Sequence, residues 1–297
     1  MKDMKISTAQ FFRVNAGAMS RGQSEVSSLQ AKLGSGAQLT SPSDNSAKAN
    51  LISRLQSSLE RQEVYQKNIE VAKTRLTSEE TALTSITQVF QRASEIAILG
   101  ANGTMAKEDR AVFGIEVEEL REELLRLANS QDVNGDYIFS GNRLDSAPFV
   151  EDGSGNVAYV GDHGRLKVSV SDTRSVAINT LGNELLGADE FSAIKSLEQG
   201  LKSNDQSIIQ ASITELKVAS DQISVSFGRM AGRFASLNNQ TALLEDTSLR
   251  IEQILSKNKD LDYAKAVTEL SQESLALQAL QASFTRISQL SLFNFLR

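Results

Sequence analysis

From Ile209 to Leu255 the chain alternates steps of three and four residues through Ile209, Ile213, Leu216, Ser220, Ile223, Phe227, Met230, Phe234, Leu237, Thr241, Leu244, Ser248, Ile251 and Leu255. Only Ser220, Thr241 and Ser248 are not apolar, and the register never slips. A heptad seam of this kind predicts one helix on the order of 70 Å long at 1.5 Å per residue, where an ordinary globular helix has about 11 residues. A seam that long needs long partner helices. A weaker one runs through Ile52, Leu55, Leu59, Ile69, Leu76, Leu83 and Phe90, with Gln62, Gln66 and Lys73 in phase, and drifts toward Ala72, Ile86, Ala93 and Ala97. Drift is expected of a nearly straight helix, whose 3.6-residue turn does not match a 3.5-residue repeat.

That second helix starts after Pro42, where Ser43 or Asp44 can cap it, and ends near Leu99. Gly100-Ala-Asn-Gly103 then leads to a third helix with Glu108 and Asp109 in its first turns and Phe113, Val117, Leu120, Leu124 and Leu127 on one face. The short connection predicts an antiparallel pair. Each chain end carries a stripe of its own. The first passes through Phe12, Ala16, Met19, Gln23, Val26, Gln30 and Leu33 and closes at Gly34 and Gly36. The last passes through Tyr263, Ala266, Leu270, Glu273, Leu277, Leu280, Phe284 and Ile287, out of register with the long seam across Ser256-Lys-Asn-Lys-Asp260. Gly17 and Gly22 each cost roughly 1 kcal/mol against Ala, so the first helix needs a partner. The last stripe has little within the chain to cover it, and an exposed stripe marks an interface.

Between Gly135 and Gly187, where eight of the 18 glycines fall, the period changes to two. Tyr137-Ile-Phe139, Val157-Ala-Tyr-Val160, Leu166-Lys-Val-Ser-Val170 and Ser175-Val-Ala-Ile178 read as short strands between turns. The expected fold is mainly α: a long antiparallel helical bundle or coiled-coil rod with a small inserted β-rich domain. Its parts are 1–46 plus 258–297 as terminal axial helices, 47–136 plus 188–257 as a helical rod, and 137–187 as the β module.

Composition narrows the function. Of 297 residues 40% are apolar but only 5% aromatic, with no Trp and two prolines, which suits aliphatic seams better than a compact enzyme. A net charge of −6 with interspersed signs argues against nucleic acid. No apolar run of about 18 residues is present, so membrane insertion is not expected, and the N-terminus lacks the pattern of a cleaved secretory signal. Without cysteine there is no disulfide or thiolate chemistry.

Candidate chemistry is thin. The one histidine, His163, lies in a Gly-rich turn without the partners of a zinc site or a Ser-His-Asp arrangement. Asp152-Gly-Ser-Gly-Asn156 starts like a calcium loop, but Val157 stands at the glycine position and His163 at the glutamate position, which leaves a hairpin turn. Glu79-Glu80 and Glu118-Glu119 read as solvated helix positions. No catalytic, cofactor-binding or metal residue is assigned.

Leu33-Gly-Ser-Gly-Ala-Gln-Leu-Thr-Ser-Pro-Ser-Asp-Asn-Ser-Ala47 resembles the L-[ST]-[ST]-G-x-R-[IV]-x-x-[PA]-x-D-[DN]-x-A segment of the flagellin superfamily, departing at Gly34, Gln38 and Leu39. Lys259-Asp-Leu-Asp-Tyr-Ala264, followed by an amide-rich helix, is similar to that superfamily's C-terminal axial helix. Asn134-Gly-Asp-Tyr-Ile-Phe-Ser-Gly141, Ala147-Pro-Phe149 and Leu290-Ser-Leu-Phe-Asn-Phe-Leu296 resemble its hook-filament junction branch. The resemblance implies a structural subunit, not an enzyme, that joins hook region to filament and polymerises through paired N- and C-terminal helices. It also implies an extracellular place on the bacterial flagellum, reached by type III export without signal cleavage. The implied assembly interface is Phe12, Met19, Val26, Leu33, Leu270, Leu277, Leu280, Phe284 and Ile287. The implied partners are identical subunits, a neighbouring hook-associated protein, flagellin and a flagellar export chaperone, with no cofactor. A minor flagellin, or a cytoplasmic coiled-coil adaptor, would share much of this pattern.

Overall fold

Every position of the Ile209–Leu255 seam is buried or half-buried on one continuous helix, so the heptad pattern does set the inward face. In the computed structural model the backbone is described for residues 2–295 and side chains for residues 10–288. The side chains of Leu290-Ser-Leu-Phe-Asn-Phe-Leu296 lie outside the described residues. Among the described residues the order is α1 (Lys2–Ser35), α2 (Ser46–Gly100), α3 (Lys107–Ala128), β1 (Phe149–Glu151), β2 (Val157–Tyr159), β3 (Lys167–Ser171), β4 (Arg174–Ala177), α4 (Gly182–Leu185), α5 (Ala188–Ser203), α6 (Gln206–Lys259) and α7 (Tyr263–Phe295). The fold is mainly α. None of these helices is long and apolar enough to cross a membrane.

Local chemistry sets the ends of the helices. Asn45, not Ser43 or Asp44, caps α2, its Oδ1 accepting from Lys48 N at 2.9 Å. Asp44 instead accepts from Ser41 N and from the Thr40 hydroxyl, which holds its carboxyl below the ordinary value and fixes the preceding turn. A break between α5 and α6 falls at Asn204, in the left-handed conformation at φ 60°, followed by Asp205, whose carboxylate accepts from Ser207 N.

The chain forms two compact units, a smaller one from 1–61 and 247–297 and a larger one from 62–246. In the larger unit α2 and α3 run antiparallel: Arg92, before the break, reaches Glu116, after it, at 2.6 Å. Arg110, almost fully buried, donates to Gly100 O, Asn102 O and Asn204 Oδ1, tying the α2–α3 connection to the α5–α6 break. At Gly114 an added Cβ would lie 2.9 Å from Lys202 Cγ and 3.5 Å from Leu201 Cβ, so the missing side chain lets α3 and α5 approach closely.

The β residues make two separate antiparallel pairs, β1 with β2 and β3 with β4, the second carrying a register shift between Ser169 and Ser171. Tyr137-Ile-Phe139, expected as a strand, is not one. Tyr137 makes an isolated bridge to Gln131, while Ile138 and Phe139 are buried in the core. Strands of three to five residues cannot bury a core of their own. Accordingly Phe149, Val157, Val170 and Val176 join Leu83, Phe90, Leu124 and Ile194 in one apolar cluster. Segment 137–187 therefore lies within the larger unit, which spans 62–246.

Candidate assembly interface

In the smaller unit the stripes of the two chain ends meet. The Phe12 and Phe284 rings stack edge to face with centroids 5.4 Å apart, a favoured aromatic geometry. Gly22 sits where an added Cβ would lie 3.4 Å from Leu277 Cδ1. The glycine that weakens α1 as an isolated helix also admits α7. Val26, Leu29 and Ala266 are buried, and Met19, Leu33, Leu270, Leu277 and Leu280 are half-buried. The expectation that the last stripe lacks an intrachain cover is thus corrected: α1 covers much of it.

A short backbone strap closes this pair. Gln38 N donates to Lys259 O at 2.8 Å and Leu261 N to Gly36 O at 2.9 Å. Gly36 adopts φ +68°, and an added Cβ would lie 2.8 Å from the Tyr263 hydroxyl, so glycine is required for two reasons. Asp262 then starts α7 by accepting from Lys265 N at 3.1 Å.

Covering one stripe leaves another. Phe11 and Val14 on α1, with Tyr263, Val267 and Ile287 on α7, remain exposed, as does Leu275 at 65%. Of the residues singled out from the sequence, only Ile287 is in this exposed set; the others lie along the α1–α7 contact. The sequence reading missed Val14, Val267 and Leu275. Their i, i+8 spacing on α7 is visible in the sequence, but the stronger Leu270–Phe284 seam masks it.

The larger unit holds ionic networks. Of Glu79-Glu80, expected to be solvated, Glu80 is exposed and Glu79 wholly buried. Glu79 accepts from the Thr180 hydroxyl and from Arg233 at 3.3 Å, yet desolvation outweighs both and pushes its carboxyl up. Buried Arg75 meets Asp132 at 3.0 Å, and Arg121 bridges Glu151 and Glu198. Asp152 closes the β1–β2 hairpin by accepting from Ser154 N and Asn156 N, so that segment forms a turn. His163 is exposed, 3.3 Å from Asn183 Nδ2. Burial, then the charge of Asp162, pushes the Tyr159 phenol up to about 12, and it remains a donor to Asp162 O at 2.6 Å. Among the described residues no group of three or more His, Asp or Glu could hold a metal ion.

Comparison with known proteins bears on both units. Residues 6–143 match the model of the bacterial flagellin N-terminal helical region. The chain is 27% identical to flagellar hook-associated protein 3 of Escherichia coli, over 98% of this chain and 99% of that protein. It is 25% identical to flagellar hook-associated protein 3 of Salmonella typhimurium, over 99% of this chain and all of that one. The crystal structure of flagellar hook-associated protein 3 from Legionella pneumophila superposes with a TM-score of 0.64 at 17% identity, covering 69% of this chain and 98% of that one, a likeness of fold.

Proposed function

We propose, from the premise that the chain is homologous along its length to flagellar hook-associated protein 3 and has a flagellin-type N-terminal helical region, that it is a structural subunit of the flagellum joining the hook region to the filament. The match across 98% of the chain, both terminal helices included, carries this reading. The role is mechanical and uses no cofactor. The subunit acts outside the cell, reaches its place without a cleaved signal, and is escorted before export by a chaperone.

Assembly divides the apolar residues of the smaller unit between two tasks. Phe12, Met19, Val26 and Leu33 hold Leu270, Leu277, Leu280 and Phe284 within one chain; Val14, Val267, Leu275 and Ile287 meet neighbouring subunits, identical or not. Support comes from the exposure of this second set after the first is covered. A charge buried at such a contact costs several kcal/mol and recurs at every copy.

Gold-labelled antibody on sheared flagella tests the location. A single label at the filament base is expected; label along the filament indicates a minor flagellin, and protein found only in cytoplasm an adaptor. Leu275→Asp should leave the helical signal of the monomer unchanged while filaments are shed into the medium. Cells carrying it that swim normally with filaments attached would show that Leu275 is not part of the contact.

A further inference from the structure

A cleft of about 770 Å³ opens in the larger unit between the β3–β4 hairpin and α6, and four arginines line it: Arg165, Arg174, Arg229 and Arg233. Two are neutralised inside the chain, Arg233 by Glu79 at 3.3 Å and Arg165 by Glu184 at 2.5 Å. Arg174 donates only to the neutral Ser236 hydroxyl, and Arg229 has no acidic partner among the described residues. Both are exposed. Two uncompensated positive charges therefore face an open cleft in a chain of net charge −6. The α6 wall beside them is low, because a Cβ added at Gly228 or Gly232 meets nothing within 4 Å, and Val225 lies exposed one turn earlier.

A matching surface lies on the outer face of α3, which shares no residue with this cleft. Glu108, Val112, Ile115, Glu119 and Glu122 follow one another at steps of four and three, so they form one stripe. Val112 is 64% and Ile115 58% exposed. Glu119 has no basic partner among the described residues, and Glu122 only a 3.7 Å contact with the exposed Arg126. We propose that the cleft receives the α3 outer stripe of a second copy of this chain, with Arg174 and Arg229 facing Glu119 and Glu122 and Val225 facing Val112 and Ile115. Charge complementarity selects the occupant. Because the two surfaces differ, the contact is head-to-tail and repeats from copy to copy, as a ring or helical layer requires. The inference rests on the self-assembly proposed above and names the contact made by the larger unit.

The absence of native cysteine makes a direct test clean. Purified full-length Val225→Cys and Ile115→Cys chains, whose altered positions face each other in the proposed contact, are mixed and oxidised. The mixture should yield about tenfold more disulfide-linked dimer than either chain alone, and 1 M salt, where screening acts within about 3 Å, should suppress it. Adding Arg174→Glu and Arg229→Glu to the first chain should abolish the dimer, and adding Glu119→Arg and Glu122→Arg to the second should restore it. No excess in the mixture, or no restoration by the reversed charges, overturns the proposal. Antibody labelling of sheared flagella judges the flagellar role separately, so a failed cross-link with a labelled filament base refutes this contact alone.

Discussion

Replacing Phe139 by Ala tests whether segment 137–187 belongs to the core of the larger unit. Phe139 is 0% exposed, and its backbone is fixed as well, its carbonyl accepting from Gly182 N at 3.0 Å and from the Tyr159 hydroxyl at 3.3 Å. Truncating a buried Phe to Ala costs about 3–5 kcal/mol, the lost transfer energy plus the cavity left where neighbours cannot collapse. Total stabilities of about 5–15 kcal/mol make this a large fraction. For a domain of this size each kcal/mol moves the melting midpoint by about 2–4 °C, so a drop of roughly 6–20 °C is expected. Far-ultraviolet circular dichroism of the full-length chain under heat and urea reads the helices, which a separate β module would leave untouched. Val133→Ala, at a position 82% exposed, serves as control and should stay within about 0.5 kcal/mol. If Phe139→Ala also leaves the helical transition within about 1 kcal/mol, the segment is a detachable accessory and the shared-core argument is wrong.

Glu79→Gln should change the pH dependence of stability. The native carboxyl is raised above its ordinary value of 4.5, so between that value and the raised one the native state holds more proton than the unfolded state, and this residue's contribution weakens as pH rises. The stability of Glu79→Gln relative to the parent, from urea curves, should therefore grow as pH increases above 4.5; a difference flat with pH refutes the assignment. Gly141→Ala should lower the unfolding free energy read from urea curves by at least about 1–3 kcal/mol, since φ is +76° and a Cβ would stand 2.5 Å from Asp162 O. Arg110→Ala should cost about 2–5 kcal/mol in the thermal transition, because it leaves the carbonyl of buried Gly100, at the end of α2, without its donor and removes the tie to Asn204, and Arg110→Lys should recover only part of that.

Periodicity reports what a helix buries but not against whom. The α6 seam, the Asp152–Asn156 hairpin and the register change before α7 could all be read from local spacing, because each depends on residues within a few positions of one another. Glu79 could not: between Ser78 and Glu80 it looks solvated, and its partners Thr180 and Arg233 lie 101 and 154 residues away. Strand β1 was missed because it has three residues and is anchored by the Asn129 side chain, which accepts from Phe149 N at 3.0 Å and donates to Phe149 O at 2.9 Å. For the candidate interface, the sequence marked stripes on both end helices but could not tell that the two would cover each other. The exposed remainder at Val14, Val267 and Leu275 follows only once that pairing is known.

The strap between Gly36-Ala-Gln38 and Lys259-Asp-Leu261 has a kinetic consequence. Gln38 and Lys257, which touch through the Gln38 amide, are 219 residues apart in the chain. Closing so long a loop from an unfolded chain costs about 5 kcal/mol of entropy on the logarithmic scaling, before either end helix has gained anything. Most of that loop lies in the larger unit, whose helices and hairpins form through shorter separations. Its collapse replaces the long flexible loop by a structured one, so the terminal pair closes second. A newly released chain thus passes through a state whose middle is folded while both ends still lack their intrachain partner. The lifetime of that state sets how long Phe12, Leu277 and Phe284 are available to something other than their own chain.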